Sequence, residues 1–311
     1  MAEPALVITG PTASGKSALA LAVARHLHGE IISMDSRQVY RGLDVGTAKA
    51  SAAERTALPH WGLDLIDPGE RYSAGQFARD AREWLHEIRA RAHVPVVAGG
   101  TLFFLRALQR PLFDEPPLDA TRRELLREQL NGLSDDALRS WAAAVRGESG
   151  SERALPRDRQ RLARLIEVVT LTGHTLSEWH DRSVQAPSVP VITFVMTLPR
   201  EQLYRRINMR VHEMLAQGFL AEVQGLVAQG YGPQHPGMNA TGYAELYRHV
   251  AGEISLEEAV VLTQAASRRY ARRQLTWLNT QVGSDVHVLD AEQSVEQLVG
   301  EVVSVLRKES A

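Results

Sequence analysis

The residues whose types and spacing suit chemistry lie near the start of the chain, in Gly10-Pro11-Thr12-Ala13-Ser14-Gly15-Lys16-Ser17. The spacing is G-x-x-x-x-G-K-S. An apolar run, Leu6-Val7-Ile8-Thr9, precedes it, and the Ala/Leu-rich stretch from Ala18 to Leu27 follows. The order is strand, phosphate loop, helix. Gly10 and Gly15 permit backbone angles and a close approach that side chains would block. Successive backbone N–H groups then point into one concavity, and the next helix adds the positive end of its dipole. Lys16 supplies a point charge to the outer phosphate, and the Ser17 hydroxyl is placed for Mg²⁺. The stretch predicts a holder for a di- or triphosphate and leaves open what that phosphate belongs to.

A second candidate follows at once. Glu30-Ile31-Ile32-Ser33-Met34 reads as a short buried strand that ends in Asp35-Ser36-Arg37-Gln38-Val39-Tyr40. Open α/β sheets bind ligands beyond the carboxyl ends of their strands. Asp35 therefore stands either where chemistry is done or as the cap of a turn, as Asp and Ser often do. A third strand, His93-Val94-Pro95-Val96-Val97-Ala98, runs into Gly99-Gly100-Thr101. P-loop hydrolases place an acid near such a strand end to hold Mg²⁺. None stands here, so the site is short of a carboxylate for the metal unless Asp35 serves.

Positive charge is concentrated in two later stretches. Residues 153–164 carry arginine at 153, 157, 159, 161 and 164 against one acid, Asp158. They largely avoid the apolar stripe of Leu162, Leu165, Ile166 and Val169, which leaves them to solvent or to a partner. Residues 268–273 hold four arginines with Tyr270 between them and Trp277 beyond. That mixture suits phosphate contacts and base stacking; equally, Tyr270 and Trp277, on one helix face, pack inward while the arginines face out. Arg206 and Arg210 share a face of another helix.

The elements that position these groups can be read from periodicity. Leu63 to Ile66 reads as a short strand, Ser73 as the cap of a helix through Ile88, and Leu102 to Leu108 as a further helix. Breakers at Arg110 to Pro117 mark a boundary, after which the pattern is helical to about Pro187. Val189 to Met196 is the next strand, followed by helices over Pro199–Ala216, to about Gln229, from Ala244 and from Leu256 to Leu278. Val286 to Leu289 reads as an edge strand and Val295 to Leu306 as a closing helix. The fold class expected is α/β: a P-loop NTPase-like core with a mainly parallel sheet flanked by helices, plus an all-helical insertion domain. Residues 1–115 and 188–311 would form the core, and 116–187 the insertion.

Composition sets bounds. With 311 residues, 44% hydrophobic and 23% charged, the chain is long enough for a large core. No apolar run reaches transmembrane length, and Met1 to Pro4 carries no basic region of a secretion signal. The absence of cysteine excludes disulfides and thiolate metal sites and fits a reducing cytoplasm. A net charge of −2 means that any nucleic-acid binding must come from local patches. The eleven histidines lack metal-site spacing.

Taken together, GPTASGKS at 10–17, DSRQVYRGLDVGTAK at 35–49, AGGT at 98–101, NATGY at 239–243 and RRYARRQLTW at 268–277 resemble the tRNA dimethylallyltransferase (isopentenyltransferase) family over most of the chain. The resemblance implies that the phosphate loop binds dimethylallyl diphosphate rather than ATP. The prenyl group would pass to the exocyclic amine of the adenosine just 3′ of the anticodon, releasing pyrophosphate. The missing strand-end carboxylate then makes sense, because an allylic C–O bond breaks and no water need be aimed at phosphorus.

Roles follow from the same resemblance. The loop amides, Lys16, Mg²⁺ on Ser17, and Arg210 would meet the charge of the leaving diphosphate. Asp35 resembles the general base and Thr101 its partner in holding the amine. The base would be flipped into the pocket. Contacts to the tRNA are implied for Asp35, Ser36, Arg37, Gln38, Thr101, Arg123, Arg159, Gln160, Arg161, Leu162, Ala163, Asn239, Ala240, Thr241, Gly242, Tyr243, Ala244, Arg272, Arg273, Gln274, Leu275, Thr276, Trp277, Leu278 and Asn279. The insertion would grip the anticodon stem-loop, and the protein would act as a cytoplasmic monomer away from membranes. Leu102-Phe103-Phe104 departs from the usual glycine or small residue, Leu-Tyr; the bulk narrows the prenyl channel or repacks a helix face. Ala244 stands where the family has a basic residue. Competing readings are a prenyltransferase on free adenine nucleotides, a P-loop small-molecule kinase, and an RNA-binding nucleotide switch. The arginine-rich helices count against the first and the missing acid against the second.

Overall fold

A computed structural model describes residues 3–110, 118–146, 155–182, 188–281 and 286–309. The chain divides into two compact units, residues 1–110 with 188–311, and residues 111–187. The expected boundary at 115/116, and Arg153, lie outside the described residues.

The first unit is built on β1 (Ala5–Thr9), β2 (Gly29–Ser33), β3 (His60–Trp61), β4 (Val94–Gly99), β5 (Val191–Thr197) and β6 (Val286–Asp290). They form one sheet in the order β3-β2-β4-β1-β5-β6, and every pairing is parallel. Side chains alternate across the pleat. Ala5 and Val7 of β1 meet Phe77, Leu85 and Ile88 of α3 (Ala74–Ala90) and Leu105 and Leu108 of α4 (Leu102–Gln109). Leu6 and Ile8 turn to the other face, against Leu19 and Val23 of α1 (Lys16–His26) and Leu298 and Val302 of α13 (Val295–Glu309). Burying one such side chain contributes roughly 1.5–3 kcal/mol, so helices on both faces keep the sheet dry.

Because all strands are parallel, their carboxyl ends open on one edge. The phosphate loop leaves β1, Met34-Asp35 leave β2, and Gly100-Thr101 leave β4, its immediate neighbour. The connections run from β1 out to β2 and later back across β1 to β5, which makes the crevice above β1 and β4 the switch point of the fold. Over this edge lie α9 (Arg200–Ala216), α10 (Phe219–Ala228), α11 (Tyr243–Val250) and α12 (Leu256–Gln281). A separate apolar core joins Val39, Tyr40 and Leu43 after β2 to Phe219, Val223, Tyr243 and Leu246.

One local expectation is corrected. The strand expected at Leu63–Ile66 is instead His60–Trp61. Gly62 and Asp64 adopt positive φ, at 80° and 55°, which breaks extension there. Asp64 turns inward to bind Lys49 at 2.6 Å and Arg55 at 2.5 Å; Ile66 keeps only a single bridge to Tyr40. The short α2 (Ala52–Ala57) was hidden in a stretch of alanines and is set by a capping box of Ser51 and Glu54. The Ser73 cap of α3 is present, accepting from the Gln76 N–H.

The second unit holds α5 (Ala120–Asn131), α6 (Asp135–Arg146), α7 (Arg159–Thr172) and α8 (Leu176–Arg182). Leu126, Leu130, Leu138, Ala142, Leu162 and Ile166 form its core. Asp158, the lone acid among the arginines, is the N-cap of α7.

Candidate active site

The phosphate loop is shaped by left-handed residues at Ala13 (φ 63°) and Gly15 (φ 90°). Such turns aim successive N–H groups inward and make an anion-binding nest. Gly10 has no room for a side chain, since a Cβ would lie 2.8 Å from the Met196 carbonyl oxygen of β5. The Ser14 hydroxyl is buried without a hydrogen-bond partner, an unspent donor inside the loop. Lys16 Nζ donates back to the Pro11 carbonyl at 3.2 Å. Burial first, and Arg210 second, lower its pKa to about 8, while Asp35 opposes the shift.

Around the loop lies a cavity of about 280 Å³. Thr12, Lys16 and Ser17 line it from the loop, and Asp35 to Gln38 from the end of β2. Ile207, Arg210, Val211 and Met214 line it from one face of α9, and Thr263, Ser267, Tyr270, Arg273 and Gln274 from α12. Asn239, Ala240 and Thr241 close the rim. Burial lowers the Arg210 pKa, and the Asp35 carboxylate counters it. Asp35 Oδ1 accepts the Arg37 N–H at 2.8 Å, so the residue caps a turn while also lining the cavity. Thr101 Oγ1 accepts the Ser36 N–H at 3.0 Å, tying the end of β4 to that of β2. Gly99 is what allows this approach: a Cβ there would sit 2.0 Å from the Met34 carbonyl oxygen.

Of the two readings left open for Tyr270, the structure favours neither a core nor an outward position. Tyr270 does not pack into the core but faces the cavity, shares a hydrogen bond with the Thr101 hydroxyl, and has its pKa raised to about 12 by burial and then by Asp35. Arg273 lies over its ring at 5.7 Å. The signal was present: Thr263, Ser267, Tyr270 and Gln274 recur at helical spacing on one face of α12. Trp277 does turn inward, edge-on to Phe103 at 6.1 Å.

Several expected RNA contacts have other duties. Leu162, Tyr243 and Leu278 belong to hydrophobic cores, so their side chains are spent on packing. The Gln38 carboxamide accepts from Ser33 Oγ at 2.8 Å and donates to the carbonyls of Thr47 and Ala48. Gln274 is likewise committed, to Thr12 and Gly100. Leu275 is partly buried, whereas Arg272, Thr276, Asn279 and Ala244 are exposed. Gly242 starts α11 at φ 94°. In the second unit, Arg123 binds Glu167 at 3.0 Å. Arg159 binds Asp135 at 2.7 Å and the carbonyls of Leu130, Asn131 and Leu133. Of that group, Gln160 and Arg161 are exposed, and Ala163 is half-buried. Arg206 is engaged elsewhere, with the Ala291 carbonyl, so only Arg210 of that pair enters the cavity. None of Leu102, Phe103 and Phe104 lines the cavity. Phe104 instead stacks on Phe77 at 4.5 Å, so the bulk repacks a helix face.

A parallel α/β sheet with a phosphate loop at its switch point defines a P-loop NTPase-like protein. The IPP transferase family model matches residues 38–281, and the isopentenyl transferase model matches residues 4–64. The chain belongs to the IPP transferase family. It is 43% identical over 279 residues to a tRNA dimethylallyltransferase of Anaeromyxobacter dehalogenans, covering 89% of this chain and 90% of that protein. Against one from Desulfotalea psychrophila the identity is 42% over 295 residues, with 94% and 93% covered. The solved tRNA isopentenylpyrophosphate transferase of Staphylococcus epidermidis is 35% identical, with a TM-score of 0.68 and 99% and 100% of the two chains covered. A eukaryotic dimethylallyltransferase solved while acting on tRNA is 25% identical, with a TM-score of 0.77 and 93% and 74% covered.

Proposed function

We propose that the protein transfers the dimethylallyl group of dimethylallyl diphosphate to the exocyclic amine of the adenosine immediately 3′ of the anticodon in tRNA. One observation carries the reading. Lys16 and Arg210 converge with the carboxylate of Asp35 in a single cavity, and among the described residues neither cation forms an ion pair. Such a site favours an anion at one end and a proton acceptor at the other.

The step balances as follows. The allylic C–O bond breaks and its electron pair leaves with pyrophosphate. The adenine nitrogen forms the new N–C bond, and its proton passes to Asp35. The loop N–H groups, Lys16 and Arg210 stabilise the departing charge. Asp35 has one oxygen held by the Arg37 N–H, which leaves the other for the amine. Thr101 orients the acceptor. Ile207, Val211, Met214 and Phe219 offer an apolar wall to the prenyl tail.

Mg²⁺ suits these residues. Ser17 reaches the cavity from the loop, and no group of three or more metal-binding side chains occurs among the described residues. Mg²⁺ commonly takes one or two protein ligands and completes its shell with phosphate oxygens and water. When bound, it would neutralise diphosphate charge. Exposed Arg272 and Arg273 on α12, and Gln160 and Arg161 on α7, are the surfaces we assign to the anticodon stem-loop, with the second unit gripping the stem. We take the protein to act as a monomer. No helix among the described residues is long and apolar enough to cross a membrane; with tRNA as substrate, we take the cytoplasm as the site of the activity.

The test is direct. Protein, Mg²⁺, dimethylallyl diphosphate and an anticodon stem-loop should give RNA heavier by one prenyl group. AMP offered instead should be a poor acceptor. Asp35→Asn should lower turnover about 10²- to 10⁴-fold with diphosphate binding kept. An RNA of unchanged mass would overturn the reading.

A further inference from the structure

We infer that Gln274 is a positioning residue for the phosphate loop, holding it in its diphosphate-binding shape from a helix that also presents Arg272 and Arg273. The inference rests on the reading of the loop as the diphosphate holder. Its Oε1 accepts the Thr12 N–H at 2.8 Å, and its Nε2 donates to the Gly100 carbonyl at 2.9 Å. The side chain is 5% exposed. The chain leaves no space for an alternative at this point: a Cβ on Gly100 would lie 2.2 Å from Nε2.

Three consequences follow. A carboxamide carries two acceptor lone pairs and two N–H donors; one of each is committed here inside the protein, and Gln274 is 5% exposed, so bracing the loop is the duty its bonds already serve. Pro11 carries no N–H, and the Thr12 N–H is already taken. The nest open to an anion therefore begins at Ala13, where the left-handed turn starts. Finally, Gln274 ties the loop after β1 to the end of β4, the two adjacent strands whose ends frame the cavity. A loop freed from this tie must be ordered by the ligand itself, and that ordering subtracts from affinity.

The experiment separates a loop brace from an RNA contact. Gln274→Met keeps length and loses both hydrogen bonds. Gln274→Glu keeps an acceptor for Thr12 but offers no donor to Gly100 and adds negative charge beside the diphosphate. Binding of inorganic pyrophosphate with Mg²⁺ should weaken about 5- to 10-fold in Gln274→Met, the effect of losing one or two buried hydrogen bonds, and further in Gln274→Glu. The KM for dimethylallyl diphosphate should rise in parallel, kcat should change less, and stem-loop affinity should stay within about twofold. In the wild-type protein, amide exchange at Thr12 should be slow without any ligand, a measurement that needs no variant. Unchanged pyrophosphate affinity in Gln274→Met, an equal loss of stem-loop affinity, or rapid exchange at Thr12 overturns the proposal. If wild-type protein makes no prenylated RNA but pyrophosphate still weakens in the variant, the brace stands and the activity reading falls.

Discussion

Two charge clusters in this molecule have nearly the same composition and opposite construction. In the second unit, Arg123, Arg127 and Arg164 close on Glu167, whose side chain is 5% exposed. Arg127 binds it at 2.7 Å and Arg123 at 3.0 Å, and Arg164 pairs with it as well. The guanidinium groups hold the carboxyl below its usual range despite burial. In the first unit, Lys16 and Arg210 face Asp35 across a cavity with no ion pair among them. Both of these cations have lowered pKa values, because burial outweighs the carboxylate. The first cluster has spent its charges on the fold. The second carries an unmet desolvation cost that an incoming anion would relieve. Arginine count alone does not distinguish the two; the presence of a buried acid within reach does.

The largest effect should come from the open cluster. Lys16→Met or Arg210→Met should lower kcat/KM for the diphosphate by about 10²- to 10³-fold, the scale of removing one preorganised donor from developing negative charge. Thermal stability without ligand should hold or rise, because a desolvated cation is removed. A fall in stability with intact turnover would erase the distinction. Glu167→Ala should do the reverse. It leaves three partly buried arginines facing one another and should cost about 2–3 kcal/mol, below the range for fully buried pairs because each arginine reaches some solvent. Denaturant unfolding measures the loss, while pyrophosphate binding should be unchanged.

The pH dependence sharpens the same contrast. The Lys16 pKa near 8 means that its charge is lost as pH rises through 8, with Arg210 and Asp35 as its charged neighbours. The kcat/KM for the diphosphate should therefore fall above about pH 8, up to tenfold per unit. The stability of the ligand-free protein should move the other way. Below pH 8 lysine is charged in both states and the burial cost is full. Between 8 and 10.5 the unfolded chain holds the extra proton, so stability rises with pH from this group. Lys16→Arg should remove the falling limb. A limb that persists unchanged would assign it to another group.

What the sequence made legible was whatever repeats with a short period or sits at fixed offsets. The strand–loop–helix at Gly10–Ser17, the apolar runs of β1 and β5, and the stripes of α3 and α9 all depend on neighbours in the chain. The role of Gln274 depends on partners that only the sheet brings close: Thr12 lies 262 residues away and Gly100 lies 174. The strand shift from Leu63 to His60 has the same origin, since Asp64 is pulled inward by Lys49 and Arg55. Tyr270 stayed between two readings because an aromatic on an amphipathic helix packs inward by default, and here inward means the cavity.

The smallest effect tests whether the open and closed classes coexist on one helix. Arg159 and Arg161 stand two residues apart at the start of α7 and look interchangeable in sequence. Arg159 reaches Asp135 and three carbonyls at the end of α5 and just beyond, so it closes a helix terminus that would otherwise have unsatisfied acceptors. Arg161 is exposed, and its backbone N–H, not its guanidinium, is what binds Asp158. Arg159→Ala should cost about 1–1.5 kcal/mol in unfolding free energy. Arg161→Ala should leave stability within about 0.5 kcal/mol, weaken the stem-loop a few-fold, and lower the slope of log affinity against log salt by about 0.7–0.9, as expected for one lost phosphate contact. If the two variants lose RNA affinity equally and neither loses stability, a committed arginine is as available as a free one, and the contrast drawn from Glu167 and Lys16 does not extend to this surface.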